Sequence, residues 1–250
     1  MPHENTGNYN EKYMVKSLNG IKVKNLSNNL RFLIRELFGT VDEEEIIEAG
    51  LVDGYIKPDI YIKCSDLKVY ISIKEGSSTV VHQDKIDTFV STLRSFNISE
   101  KTIRTILLFQ FGDGTTDGSG KKREGYNEVK YHLLNDIAEA NIELNKDKYF
   151  IKSMITKFVF KGNFEENIEA DYLYHGTPEY GFVINKNQLF KHIDRRSWGY
   201  YDNLHIGPLL FRPHGRYVES LDDEPGRYKV DIYWPNLGHD VAYISERYNG

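Results

Sequence analysis

The chain has 250 residues, 40% of them hydrophobic and 28% charged, enough to bury a core without disulfides or structural metal and unlike the make-up of a disordered chain. Its 32 basic and 37 acidic residues leave a net charge of −5, which does not announce a nucleic-acid partner. A single cysteine, Cys64, excludes an intrachain disulfide and a cysteine-rich zinc site; no apolar run is long enough for a membrane span or a leader, so the expected setting is cytoplasmic with no membrane partner.

Residues 1–12 read as a loose polar tail. Leu26, Leu30, Leu33 and Leu37 recur at helical spacing between a Ser27 or Asn28 cap and Gly39, which predicts a helix. A short acidic helix is expected over Asp42–Ala49, closed by Gly50. From Tyr55 to Glu75 the period changes to two, with Ile60 and Ile62, then Val69, Ile71 and Ile73, on either side of Ser65-Asp66, the pattern of a β-hairpin. Ser77, Ser78 and Thr79 offer caps for a following helix with the stripe Ile86, Phe89, Val90 and Leu93. Arg104–Phe111 reads as a buried strand, and Gly112–Gly125 as a flexible connection. Helices are expected at Tyr126–Leu144 and Tyr149–Phe160. From Asp171 onward short strands broken by Gly and Pro predominate, with one helix near Asn187–Ile193. The expected class is α/β (α+β), divided into a 1–160 core with its tail and a β-rich 161–250 region that covers the core or recognises DNA.

The hairpin carries the chemistry. A turn at Ser65-Asp66 sets Cys64 against Leu67 and Asp59 against Ser72. Alternation then places Asp59, Tyr61, Tyr70, Ser72 and Lys74 on one face while the isoleucines face the core. Directly opposite Cβ atoms lie about 5 Å apart and the diagonal Lys74 stays within reach of Asp59. An acid, a hydroxyl and an ammonium thus converge on one side of a sheet.

Pro58-Asp59 followed by Ser72-Ile73-Lys74, in the order helix, strand, strand, helix, strand, resembles the PD-(D/E)XK nuclease superfamily over roughly residues 26–111. The resemblance implies a restriction-endonuclease-like core, a central mixed sheet flanked by helices, and an Mg²⁺-dependent endonuclease of a restriction, phage or defence kind, with Mn²⁺ able to substitute. The departure is Ser72, where the superfamily has Asp or Glu. Since Mg²⁺ takes one or two carboxylates with water and phosphate, Glu36 on the first predicted helix is expected as the second acid, ahead of Glu75, Glu45 and Glu48. Asp59, Glu36 and the Ile73 carbonyl would hold the ion, Lys74 would orient water and stabilise charge, and Ser72, Gln83 and His82 would complete the pocket.

Positions 121–161 carry nine Lys/Arg against six Asp/Glu, and the late arginines add a basic surface. Lys121, Lys122, Arg123, Arg195, Arg196, Arg212 and Arg216 are the expected contacts to duplex DNA, and a homodimer would follow if both strands of a palindromic site are cut. The alternative reading is a non-catalytic nucleic-acid-binding or interaction module that kept the fold and lost the acid set.

Overall fold

The computed structural model describes residues 6–54, 56–76, 79–120, 122–163, 168–198, 203–214 and 226–249. The chain divides into two compact units, each discontinuous in sequence. The first comprises 1–79, 155–195 and 236–250, the second 80–154 and 196–235, so neither coincides with 1–160 or 161–250. No helix among the described residues is long and apolar enough to cross a membrane.

Of the expected tail, residues 1–5 lie outside the described residues, and residues 6–12 belong to helix α1 (Thr6–Leu18). Its stripe is half polar: Asn10 is buried and donates to the Gly176 carbonyl at 2.8 Å, while Met14 and Leu18 are fully buried. Helix α2 (Asn28–Phe38) follows expectation, with the Ser27 hydroxyl accepting from the Leu30 amide, Leu30, Leu33, Ile34 and Leu37 buried, and the helix stopping at Gly39. No helix forms over Asp42–Ala49. Without an apolar helical stripe, the acidic side chains serve other partners, Glu44 pairing with Lys22 and Lys24, and the segment ends in strand β1 (Glu48–Leu51).

Strands β2 (Ile60–Cys64) and β3 (Leu67–Lys74) pair in the expected register, Cys64 with Leu67 and Ile60 with Ile71. Ser65 turns the hairpin at φ 53°, and its amide and hydroxyl are anchored by Glu45 Oε1 at 2.9 and 2.8 Å. The helix expected after Ser77 and Ser78, which lie outside the described residues, starts late. Thr79–Lys85 is strand β4, and helix α3 (Ile86–Ser95) then buries Ile86, Phe89, Val90 and Leu93.

The Arg104–Phe111 segment is part of helix α4 (Glu100–Phe111), not a strand. Ser99 caps it, and Thr105 returns its hydroxyl to the Lys101 carbonyl at 3.2 Å, so packing of Ile103, Ile106 and Phe109 overrides the β preference of the branched residues. The Gly-rich connection is organised around Asp113, whose carboxylate accepts from the Thr115 amide and hydroxyl and the Gly120 amide and pairs with Arg227. The helix expected from Tyr126 is two, α5 (Tyr126–His132) and α6 (Leu134–Asn145), which break at Leu133. Helix α7 (Lys148–Ile155) widens into a π-helical stretch, Thr156–Lys161. Then come β5 (Tyr172–Gly176), β6 (Gly181–Asn185), helix α8 (Lys186–Arg195), β7 (His205–Ile206), β8 (Leu209–Pro213), β9 (Lys229–Trp234) and a helix absent from the sequence reading, α9 (Leu237–Asn249).

The first unit is built on a mixed sheet ordered β1-β2-β3-β5-β6, in which β3 and β5 run parallel and the other neighbours antiparallel. Met14 and Leu18 of α1 and Leu30, Leu33 and Ile34 of α2 join Ile60, Ile62, Ile71 and Ile73 in one core cluster, while α8 and α9 pack on the β5–β6 side. The second unit holds the sheet β4-β9-β8-β7. Phe211, Val230, Ile232 and Trp234 are buried there, and Phe89 of α3 packs against Phe211 with ring centroids 5.1 Å apart.

Candidate active site

Asp59 immediately precedes β2, where its amide donates to the Ile71 carbonyl at 2.9 Å and its carbonyl accepts from Val52 at 3.1 Å. That pairing extends the hairpin by one residue and sets the carboxylate beside β3. Asp59 Oδ2 accepts from the Ser72 hydroxyl at 3.2 Å, the Ile73 amide at 2.5 Å and the Lys74 ammonium at 3.2 Å. Lys74 Nζ also donates to the Ile73 carbonyl at 2.7 Å. Ser72 is fully buried, and the Asp59 and Lys74 side chains are each 19% exposed. The structure thus brings together four of the expected residues, Asp59, Ser72, Ile73 and Lys74.

A further carboxylate, Glu11, interacts electrostatically with this cluster. Glu11 lies three and seven residues before Met14 and Leu18, on the face of α1 that meets the sheet. Burial, then the Asp59 charge, push its pKa up to about 7 against the opposing pull of Lys74 and Lys12. Glu36, the expected ligand, is raised by burial alone, and its charge acts on Tyr172. Glu11 is therefore the carboxylate in the field of Asp59 and Lys74. The signal for it was the 11, 14, 18 spacing, hidden by the polar residues around it.

Two further groups went unassigned. Lys57 has a pKa lowered to about 7 by desolvation and by the Lys74 charge, with Asp59 opposing; part of its surface is accessible, but protein atoms crowd the ammonium closely enough for desolvation to dominate. His175 pairs with Lys74 across the parallel β3–β5 ladder and donates from Nε2 to the Gly76 carbonyl at 3.0 Å. A Cβ on Gly238 would come within 2.6 Å of its ring, so α9 approaches His175 closely only because residue 238 is glycine. Nothing local marks His175, since its neighbour in the ladder lies a hundred residues away.

Most of the other expected members belong to the second unit. His82 and Gln83 belong to β4 of the second unit rather than to a helix. Gln83 Nε2 donates to Asp231 at 2.8 Å and approaches His214 Nδ1 at 3.0 Å. Arg123 is not a DNA contact: it is buried, and its guanidinium donates to the Phe111 and Gln110 carbonyls at the end of α4. Lys122 and Arg195 are exposed, and Arg195 reaches the Tyr248 hydroxyl at 3.1 Å. Arg196 lies over the Trp198 ring, and Arg212 between Tyr126 and Tyr233. Lys121 and Arg216 lie outside the described residues.

Among the described residues no group of three His, Cys, Asp or Glu side chains gathers around one metal position. The donors at hand are the Asp59 and Glu11 carboxylates and the Ile73 carbonyl, an all-oxygen set of the kind Mg²⁺ takes when water and phosphate supply the rest. The Lys74 ammonium already sits on two of these oxygens, Asp59 Oδ2 and Ile73 O, so the pocket favours positive charge there. As hard oxygen donors these groups are chemically compatible with such an ion. No family model matches the chain, and no curated protein sequence matches it.

Proposed function

We propose that this chain is a metal-dependent endodeoxyribonuclease with a restriction-endonuclease-like core. The observation that carries the reading is the convergence of Ser72, the Ile73 amide and Lys74 on one oxygen of Asp59, with Glu11 coupled to the same carboxylate. The mixed sheet, with Asp59 at the start of β2 and Lys74 at the end of the adjacent antiparallel β3, supports it.

Asp59, Glu11 and the Ile73 carbonyl would hold Mg²⁺ or Mn²⁺. When bound, the ion polarises a phosphodiester and lowers the pKa of coordinated water. Lys74 donates hydrogen bonds toward the attacking water and the phosphoryl oxygens, where negative charge grows in the transition state. Ser72 acts on Asp59, fixing the carboxylate's orientation without adding charge. Of the basic residues expected to contact DNA, Lys122, Arg195, Arg196 and Arg212 lie among the described residues outside the core and would meet a DNA backbone.

The test is cleavage of supercoiled plasmid in Mg²⁺ and in Mn²⁺. Asp59→Ala and Lys74→Ala are expected to lose nicking at least a hundredfold while far-UV circular dichroism is unchanged; cleavage retained by both would sink the assignment. A neutral, buried Ser72 where an acid is expected favours a second reading, a binding module without catalysis. Metal-independent DNA binding with no nicking in either ion would select it.

A further inference from the structure

Arg212 occupies an unusual position in the second unit. It lies opposite Asp231 across the β8–β9 ladder, on the same face as Tyr233, yet the two charges do not pair. Asp231 spends its oxygens on Gln83 Nε2 at 2.8 Å and on His214 Nδ1 at 2.9 Å. Among the described residues Arg212 makes no ion pair or hydrogen bond, and its Nε is buried with no partner. The guanidinium carbon stands 5.1 Å from the Tyr233 ring centroid and 5.8 Å from that of Tyr126.

This cation lines a cavity of about 510 Å³ with Tyr126, Asn127, Lys130 and Asn203. The Tyr126 hydroxyl donates to Asn203 Oδ1 at 2.6 Å, which fixes that carboxamide at the wall. Glu128 also borders the cavity, but its Oε2 accepts from the Gly125 amide at 3.1 Å, and the residue is exposed. Arg212 is half-buried, and its shielded Nε has no acceptor, so part of the guanidinium's hydrogen-bonding capacity is left unused in the protein. Its planar fork matches a phosphate, and its face and those of tyrosine match a nucleobase.

We infer that the Arg212 cavity is a nucleotide-binding site, taking one phosphate with its attached base, either as a free nucleotide or as one residue of a single strand. Arg212 and Lys130 receive the phosphate, the Tyr126 ring stacks on the base, and Asn127 and Asn203 offer amide groups to its edge. The cavity volume exceeds what a bare phosphate needs and suits a nucleotide. The choice of a nucleotide over other phosphorylated aromatics rests on the nuclease reading; the unpaired cation and the cavity do not.

The experiment is a binding titration of the full chain in EDTA, with a fluorescein-labelled oligothymidylate 12-mer followed by anisotropy and thymidine 5′-monophosphate followed by calorimetry. Arg212→Gln is expected to weaken binding at least tenfold, Arg212→Lys to recover only part of it, and Arg94→Gln, whose side chain is exposed and paired with Glu100, to leave it unchanged. Binding of both probes identifies a free-nucleotide site and binding of the 12-mer alone a strand site; either supports the inference. If wild-type protein binds neither probe, or Arg212→Gln and Arg212→Lys both bind like wild type, the inference is overturned. Thermal melts of both variants separate lost binding from lost folding. Because no metal is present, Arg212-dependent binding without Mg²⁺-dependent nicking would overturn the nuclease reading alone, whereas Lys74-dependent nicking with Arg212-independent binding would overturn this one alone.

Discussion

Glu11 on α1 lies in the electrostatic field of Asp59, and that charge, added to burial, holds the Glu11 carboxyl at a pKa of about 7. A carboxyl held protonated by burial and by a neighbouring acid is what an oxygen-ligated cation relieves. That sets Glu11 on α1 against Glu36 on α2 for the second acid of the proposed site. Glu11→Gln should reduce Mg²⁺-dependent plasmid nicking at least a hundredfold, and Glu36→Gln should leave it within twofold of wild type. The reverse result would return the role to Glu36.

The same shift has a pH signature in EDTA. Between its ordinary value of 4.5 and about 7, Glu11 keeps in the folded chain a proton that the unfolded chain has released. Stability therefore falls as pH rises through that window. Glu11→Gln removes the penalty of the buried carboxylate, so it should raise Tm by several degrees at pH 8, about 1–3 kcal/mol, and hardly at pH 4.5. Lys57, depressed from 10.5 to about 7, has the opposite slope: the folded chain releases its proton first, and stability rises from pH 7 toward 10.5. Lys57→Met should stabilise at pH 6 and lose that advantage by pH 10. Thermal melts across pH 4.5–10 read both.

Ser72 supplies one of the three hydrogen bonds on Asp59 Oδ2 from a fully buried position. Ser72→Ala should cost about 1 kcal/mol of stability and reduce nicking far less than Asp59→Ala. Ser72→Asp places a second buried carboxylate against Asp59, and should lower stability in EDTA by about 3 kcal/mol. Millimolar Mg²⁺ should restore much of that loss. Denaturant midpoints with and without Mg²⁺ check both variants, and an Mg²⁺-insensitive Ser72→Asp would count against a metal at Asp59.

In the second unit, the Asp113 and Arg227 side chains form an ion pair with almost no solvent exposure. Burial pushes the Asp113 carboxyl up, but hydrogen bonds from Thr115 and the Arg227 guanidinium outweigh it and leave the pKa below its usual value. Its stabilisation is present above pH 3.8 and is lost as pH falls through the lowered value. Asp113→Asn would leave the guanidinium buried without its counter-charge, at a cost of about 3–5 kcal/mol. Urea unfolding should show that loss, and limited proteolysis should open the chain between Gly112 and Gly125.

The hairpin was legible because its information is local. Alternation with period two divides Asp59, Ser72 and Lys74 from Ile60, Ile71 and Ile73, and the Ser65-Asp66 turn sets a register that a one-residue slip would turn inside out. Helices α2 and α3 were readable for the same reason, each carrying a full apolar stripe. Where the stripe was diluted or β-branched, pattern misled: α1 hid behind Asn10 and Glu11, and α4 read as a strand because Ile103, Thr105 and Ile106 suit either state until their neighbours decide.

The amino-acid sequence by itself therefore determined a face bearing an acid, a hydroxyl and an ammonium. Tertiary structure alone decided that β5 runs parallel to β3 and brings His175 beside Lys74, that the Asp59 charge acts on Glu11, and that Gln83 joins Asp231 and His214. Neighbouring residues fix which way a side chain points, but which distant segment buries against it depends on the area and charge matched across the whole chain, and no short window contains that sum.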